Sequence, residues 1–524
     1  VGCKRPWHSW RIRSERDVLT LVSEVLFDYQ VEAAKRINES RRILLADQPG
    51  LGKTLEVLGA LELDGALDRP CNILVLTPII NAQTTWIDSL ERFIAPRYPI
   101  NIVDASKGSS AKKSKAFEQT KVYGPTFVVA NHNAIDLTKS GVRVPELIQE
   151  VYDAVIVDES HIVLPITGNG YTNFQKGLAK VVMRPNTMRV AISGTPDRGK
   201  LENRYGTWRF LFTELMPHNK WAWLEKNFWM VEQQVSRTRT VKVATTIKDP
   251  DEWLKRDRAW MIRRTKNEVL SQLPPKRYVD VLLPLPDEQK ARYFDVQMRY
   301  EEAVRERDAT GIDRAEAMTA AIRFRQNSTC MWDPTTTPPE PVIGGRSAKL
   351  EWLIEWLSER AFIEADDMAD GNAKVVIVSQ FSKILEWLHK ELENVGISSA
   401  VLDGRTGAQQ RIHIQQQFQD GELRVVLLSG TMGVGINLDR ADDLIMLDSP
   451  YDPDRIEQIE DRVHRASNMH NVTIWNLLGK DTIDEAIAEK VSKRYKVTRE
   501  LLDGSRGVDF ARKLLAQVME DEDE

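Results

Sequence analysis

The run Asp47-Gln-Pro-Gly50-Leu-Gly52-Lys53-Thr54 stands between an apolar stretch, RILLA, and a helix-forming one, LEVLGALEL. Strand, glycine loop and helix together make a phosphate cradle, because glycines let backbone N–H groups approach a triphosphate at a helix N-terminus. Gly50 and Gly52 fill that role, Lys53 reaches the β- and γ-phosphates, and the Thr54 hydroxyl can hold Mg²⁺. Asp47 occupies the place where the general pattern has its first glycine. Further on, the run AVIV ends in Asp158-Glu159-Ser160-His161. An acidic pair at the carboxyl end of a parallel strand sits where open α/β sheets bind ligands. Asp158 is the candidate Mg²⁺ holder and Glu159 the candidate general base that polarises an attacking water. ATP and Mg²⁺ are the implied cofactors.

Two further groups matter through the company they keep. Ser193-Gly194-Thr195-Pro196 follows the apolar run RVAI and is expected beside the acidic pair, where it can relay nucleotide state. In the second half, QIEDRVHR places Arg462 and Arg465 three apart, on one face of a helix. Such a pair is by itself an ordinary solvated face. In a chain with a phosphate loop and an acidic pair it becomes a candidate for arginine fingers, since guanidinium stays charged and forks onto phosphate oxygens.

These residues need strands to present them, and both halves supply short apolar runs that lead into polar or glycine-containing turns. They are 42–46, 72–77, 126–130, 154–157 and 189–192, then 374–379, 399–402, 424–428, 443–447 and 472–477. Continuous β-rich runs of this length mark buried parallel strands in βαβ units, so two tandem doubly wound α/β sheets are predicted. Between them, residues 200–260 carry Trp208, Trp221, Trp223, Trp229, Trp253 and Trp260 and read as helices, with the aromatics packing a subdomain or, alternatively, offering a base-stacking platform. Residues 331–346, rich in proline, threonine and glycine, read as an exposed loop, and the closing EDEDE as a solvated end.

Composition narrows the class. With 524 residues, 42% hydrophobic and 28% charged, the chain suits two ordinary α/β domains. Lysine plus arginine number 72 against 77 acidic residues, which excludes a uniformly basic nucleic-acid coat but not a local basic track. Cys3, Cys71 and Cys330 have no disulfide or metal-like spacing and fit a reducing cytoplasm. VGCKRPWHSWRIRSER is read as carrying no secretory signal, and no run of 18 apolar residues predicts a membrane span.

In order along residues 25–505, the motifs resemble those of the Swi/Snf-type DNA translocases of helicase superfamily two. Leu26-Phe-Asp-Tyr29-Gln30 resembles the adenine-reading motif, with Gln30 as the base contact, and DQPGLGKT resembles the family's phosphate loop, in which Asp47 is usual. Thr77-Pro78 with Trp86 resembles a motif that touches a DNA backbone. Met261-Ile-Arg263-Arg264-Thr265-Lys266, followed by Leu273-Pro-Pro-Lys276, is the most diagnostic stretch. Ser379-Gln380-Phe381 and Leu402-Asp403-Gly404-Arg405-Thr406 resemble second-domain motifs, and 429–438, with Thr431 and Gly435, resembles the loop that senses nucleic acid and nucleotide. Asp448-Ser-Pro450 and QIEDRVHR follow, and Thr482-Ile483-Asp484-Glu485 with Lys490 resembles the family's brace helix. Ala466-Ser467-Asn468 stands where the family usually has glycine-glutamine.

The resemblance implies two RecA-like domains. Residues 1–20 form an N-terminal extension, 21–245 the first ATP-binding domain with its Trp-rich appendage, 246–345 a connector, 346–505 the second domain, and 506–524 an acidic tail. It implies an ATP-driven motor on sequence-tolerant double-stranded DNA, with Thr77, Pro78, Arg405 and Thr431 along the track and Gly435 near the nucleotide. The chain reads as a bare, monomeric motor of a kind expected in bacteria or their viruses, with no nucleosome-remodelling role. A strand-separating helicase, an ATPase that remodels a DNA-bound protein partner and a non-hydrolysing nucleic-acid clamp stay open beside it. The clamp would need none of Lys53, Asp158, Glu159, Arg462 or Arg465.

Overall fold

The continuous apolar runs become the strands of two parallel sheets. In a computed structural model of the chain the described residues are 21–489 and 491, without 118–122, 167–169, 197–200, 237–238, 270–275, 307–313, 334–335, 337–338, 343–344, 361–372, 431–435, 452 and 465–470. The N-terminal extension, the acidic tail, Thr431, Gly435, Arg465 and Lys490 lie outside the described residues. The chain divides into two compact units, one built on Gly52–Ile192 and the other on the chain from Glu214, with Ala46–Leu51 and Ser193–Gly206 grouped with the second.

The first unit holds β1 (Arg42–Leu45), β2 (Asn72–Thr77), β3 (Asn101–Ala105), β4 (Thr126–Asn131), β5 (Val151–Val157) and β6 (Val182–Ile192). They lie in the order β1-β6-β5-β2-β4-β3, every neighbour parallel. β2 is buried from Ile73 to Thr77, as expected of an inner strand covered on both faces. Because β1, β6 and β5 are adjacent and parallel, the phosphate loop, Ser193-Gly194-Thr195-Pro196 and Asp158-Glu159 all begin at the carboxyl edge of one sheet.

After a hairpin of β7 (Phe228–Ser236) and β8 (Arg239–Ile247), the second unit holds β9 (Arg277–Leu283), β10 (Val375–Ser379), β11 (Ser399–Leu402), β12 (Val425–Ser429), β13 (Asp443–Met446) and β14 (Thr473–Gly479). Its sheet runs β9-β14-β13-β10-β12-β11, again all parallel. Alternate residues feed two cores: Val375 and Ile377 enter one with Leu385 and Leu388, while Val376 and Val378 enter the other with Ile414 and Phe418. Two covered faces make this sheet doubly wound. No helix among the described residues is long and apolar enough to cross a membrane.

A buried ionic knot ties this second sheet to its helices. Lys349 Nζ donates to Asp484 Oδ2 and to the Leu447 carbonyl, both at 2.6 Å, while Asp484 also accepts from Ser328 Oγ and Gly479 N at 3.0 Å. Lys349→Ala removes the cation and leaves the carboxylate buried. Breaking a buried pair from one side costs about 3–5 kcal/mol, so calorimetry should record a fall in Tm on the order of 10 °C. An unchanged Tm would mean that the knot contributes nothing net.

Several expectations are corrected. Residues 228–247, read as helical because of their tryptophans, form the antiparallel β7–β8 hairpin; FWMVEQQVS and RTVKVATTI are rich in β-branched and aromatic residues that favour strands. Trp208, Trp223 and Trp253 are buried as packing residues, whereas Trp229 is exposed beside Lys248, 5.1 Å from its ring. Residues 331–346 do not form a simple exposed loop: Trp332–Asp333 pairs with Glu340–Pro341, and Trp332 is buried. β9, within the expected connector, is an edge strand of the second sheet.

Candidate active site

The phosphate loop leaves β1 and ends at Gly52, whose φ of 81° and ψ of 32° cap the helix Lys53–Leu63. Only glycine adopts that left-handed conformation without strain. A Cβ at Gly52 would also crowd the Gln30 amide. Gln30 is buried and its Oε1 accepts from Phe27 N at 3.0 Å, which fixes its amide over the loop. Lys53 and Thr54 open the helix at the first turn, where N–H groups and the helix dipole favour an anion.

The structure accounts for Asp47. Its carboxylate is fully buried and takes the Arg264 guanidinium through Nε at 2.9 Å and through Nη2. Arg263 Nη1 donates to the carbonyls of Ala46 and Gly194 at 2.7 and 2.9 Å. Backbone bonds from Ala46 N to Ile262 O and from Gln48 N to Arg264 O complete the seam. The diagnostic stretch therefore braces the phosphate loop and the Ser193-Gly194-Thr195-Pro196 turn together. Gly194 is tight against that loop, where a Cβ would lie 2.7 Å from Pro49 Cγ.

Asp158 follows β5 and is buried. Its Oδ2 accepts from Thr77 Oγ1 at 2.8 Å, Trp86 Nε1 at 3.1 Å and Asn81 Nδ2 at 3.2 Å, and its Oδ1 accepts from Glu159 N at 2.9 Å. Thr77, expected along a nucleic-acid track, is thus buried with its hydroxyl on the acidic site. The register explains this: Leu76 pairs with Val157, so the next residue on β2 faces the next residue after β5. Pro78 is half-buried. Glu159 has φ 46° and ψ 45°, a left-handed conformation rare outside glycine, and such outliers concentrate at functional sites. His161 Nδ1 lies 3.3 Å from Glu159 Oε2. His132 Nε2 lies 2.9 Å from the Asp158 carbonyl. A carbonyl only accepts, so that nitrogen carries the proton, and burial lowers the imidazole pKa and favours the neutral ring.

The helix Pro453–Val463 carries Arg462. Lys266 Nζ donates to Asp461 Oδ1 and the His464 carbonyl, both at 2.6 Å. Lys276 Nζ donates to Glu460 Oε2 at 2.8 Å and Asp461 Oδ1 at 3.3 Å. Burial disfavours the charges of Lys266, Lys276 and Asp461, yet Asp461 and Glu460 hold Lys276 well above its ordinary pKa, and the two lysines hold Asp461 below the usual carboxylate range. Gln48 Nε2 reaches Glu457 at 2.8 Å, and Gln48 Oε1 accepts from Lys266 N at 2.6 Å. Arg462 is buried and its carbonyl accepts from Leu438 N at 3.0 Å. Arg405, by contrast, is exposed and shared between Asp403 and Glu386.

Reading the sequence missed Asn81 and His132 as partners of Asp158, and gave Lys266 and Lys276 no role. The one available signal was Asp47: a carboxylate in a glycine's place needs a cation, and Arg263 and Arg264 were conspicuous without an assigned task.

Comparison with known proteins places the chain in a family. Residues 25–332 match the SNF2-related domain and residues 348–467 the helicase conserved C-terminal domain. A chromodomain-helicase-DNA-binding protein 1-like of Danio rerio is 25% identical over 91% of this chain and 44% of its own length. An uncharacterized ATP-dependent helicase of Mycoplasma pneumoniae is 23% identical over 91% of this chain and 42% of its own. The ISWI chromatin-remodeling complex ATPase ISW1 of Saccharomyces cerevisiae is 23% identical over 88% and 39%. This chain spans less than half the length of these relatives. Among solved structures, the Sulfolobus solfataricus SWI2/SNF2 ATPase core in complex with dsDNA is 20% identical, with a TM-score of 0.37 over 92% of this chain and 93% of that one.

Proposed function

The chain belongs to the SNF2-related family and carries that family's helicase-type ATPase core, and from this premise we propose that it is an ATP-dependent motor that moves along double-stranded DNA. The observation that carries the reading is the convergence of phosphate loop, acidic pair and Ser193-Gly194-Thr195-Pro196 turn at the carboxyl edge of three adjacent parallel strands. Lys53 binds the β- and γ-phosphates, Glu159 accepts the proton of the attacking water, and Arg462 and Arg465 stabilise charge on the transferring phosphoryl group. Gln30 reads the adenine and Gly435 lies in the loop that senses the nucleotide. Mg²⁺ fits the hard oxygen donors that Asp158 and Thr54 offer; when bound it neutralises triphosphate charge.

Nucleic acid enters the proposal through Pro78, Arg405 and Thr431, with Thr77 acting through Asp158. The relatives named for DNA binding and for chromatin-remodelling ATPase activity support a DNA partner. Contacts to backbone phosphates carry no sequence code, which suits a motor that passes every base. A monomeric motor in a bacterial or phage-infected cell, with or without a protein partner, is the form proposed.

ATP turnover with double-stranded DNA, single-stranded DNA and RNA in turn tests this. Double-stranded DNA is expected to stimulate most. Equal or greater stimulation by single strands would move the protein to strand separation. A track of about 6–10 phosphate contacts would lose roughly 10³–10⁵ in affinity between about 50 and 200 mM salt. A flat salt response would point to a protein partner instead.

A further inference from the structure

The segment after β2 winds in an uncommon way. Ala82–Ile87 and Leu90–Ile94 are π-helical, with N–H groups bonding five residues back, as Asp88 does to Gln83 and Ala95 to Leu90. Such turns are rare and recur at functional sites. At 3.6 residues per turn, residues five apart on an α-helix lie about 140° apart around the axis, so Asn81 and Trp86 would diverge. A turn closed between i and i+5 stacks the second over the first. Both side chains then reach one atom, Asp158 Oδ2, where Thr77 Oγ1 joins them. All three residues are buried, and Asn81 donates its amide to this carboxylate while its Oδ1 makes no hydrogen bond.

The arrangement distinguishes the two carboxylate oxygens. An ionised carboxylate offers about two lone-pair sites per oxygen. Three protein donors exhaust Oδ2, whereas Oδ1 receives one, from Glu159 N. We propose that Thr77, Asn81 and Trp86 are positioning residues for Asp158: they fix Oδ2 and leave Oδ1 as the oxygen with capacity for the magnesium-bound triphosphate. The inference rests on the ATPase reading above and adds the residues that orient its acidic group. A purely packing role for Trp86 would need its ring and not its N–H.

Trp86→Phe in the full chain deletes the N–H donor and leaves a smaller aromatic ring in its place. Trp86 is fully buried, so losing part of the indole and a hydrogen bond to a charged group should lower the variant's Tm by several degrees, while ATP affinity without divalent metal should be unchanged. Mn²⁺ affinity of the ATP-loaded protein, read by electron paramagnetic resonance, should fall about tenfold, and saturated turnover should fall about tenfold, as expected for one hydrogen bond to a charged group. Thr77→Val, which deletes the hydroxyl at nearly constant volume, should shift both in the same direction and decides the matter if Trp86→Phe does not fold. Parent-like Mn²⁺ affinity in the folded variants would overturn the proposal, as would a metal-free ATP affinity that falls as far as turnover. If the parent hydrolyses no ATP, the proposed function fails, and Mn²⁺ affinity still decides whether Thr77, Asn81 and Trp86 position Asp158.

Discussion

Glu159→Gln should bind ATP as the parent does and lose about 10²–10⁴ of its turnover, the range a positioned general base contributes. The amide has the size and shape of the carboxylate but cannot take a proton from water. Backbone strain does not confuse the comparison. Glu159 sits at φ 46°, and glutamine bears the same steric cost there, so the substitution changes chemistry while leaving conformation alone. Lys53→Ala provides the contrast: it should lose turnover chiefly by weakening phosphate binding. Calorimetric ATP affinity and single-turnover hydrolysis, measured on both variants, separate the two effects. Parent-like hydrolysis by Glu159→Gln would remove it from the role of base and leave the strained backbone at that residue without a functional explanation.

The parts of this site that were legible in the sequence are those whose chemistry is local. A phosphate loop needs glycines at positions of positive φ, and Gly50 and Gly52 have φ of 85° and 81°. The acidic pair was legible because a continuous apolar run, AVIV, marks an inner parallel strand, and the residues after such a strand fall at the sheet's ligand edge. Strands with half-exposed faces were harder. β3 and β9 alternate buried or partly buried residues with more exposed ones, so neither shows the continuous run by which the others were found. The 228–247 hairpin was obscured for a different reason: its aromatic residues were grouped with the helical tryptophans around it, although its own β-branched residues favour a strand.

What could not be read was the choice of partner across long stretches of chain. Trp86 was visible as a motif residue, but its bond to Asp158 depends on π winding that no periodicity announces. Asp47 was likewise visible as a departure from the general phosphate-loop pattern. Its pairing with Arg264, 217 residues away, required the fold. That pairing turns an odd residue and a diagnostic stretch into one device: a buried carboxylate whose cation arrives with Arg263, which holds the Ala46 and Gly194 carbonyls. The lysines opposite Glu460 and Asp461 are a second case. They show that the helix bearing Arg462 is held by other cations, a point on which the role of the arginines turns.

Arg462→Ala and Arg465→Ala should each abolish nearly all turnover, by about 10³–10⁵ if they act as arginine fingers do elsewhere, with much smaller changes in ATP affinity. The phosphate loop and magnesium donors are proposed to bind the nucleotide in its ground state. The arginines are proposed to act on charge that builds up on the transferring phosphoryl group, which is where preorganised cations lower a barrier most. The competing view is that they only brace their helix. Glu460 and Asp461, the nearest carboxylates in sequence, already accept from Lys276 and Lys266, so that helix has cationic bracing of its own. Arg462 is nevertheless buried, and truncating it opens a void, so Tm must be measured alongside turnover. Arg462→Lys sharpens the test, because it keeps charge and most of the length but loses the planar fork that matches phosphate oxygens. A finger predicts that lysine restores Tm more fully than turnover; a brace predicts that the two recover together. Parent-like turnover in folded Arg462→Ala and Arg465→Ala would take both arginines out of the chemistry, and with them the assignment of a catalytic role to the second RecA-like domain.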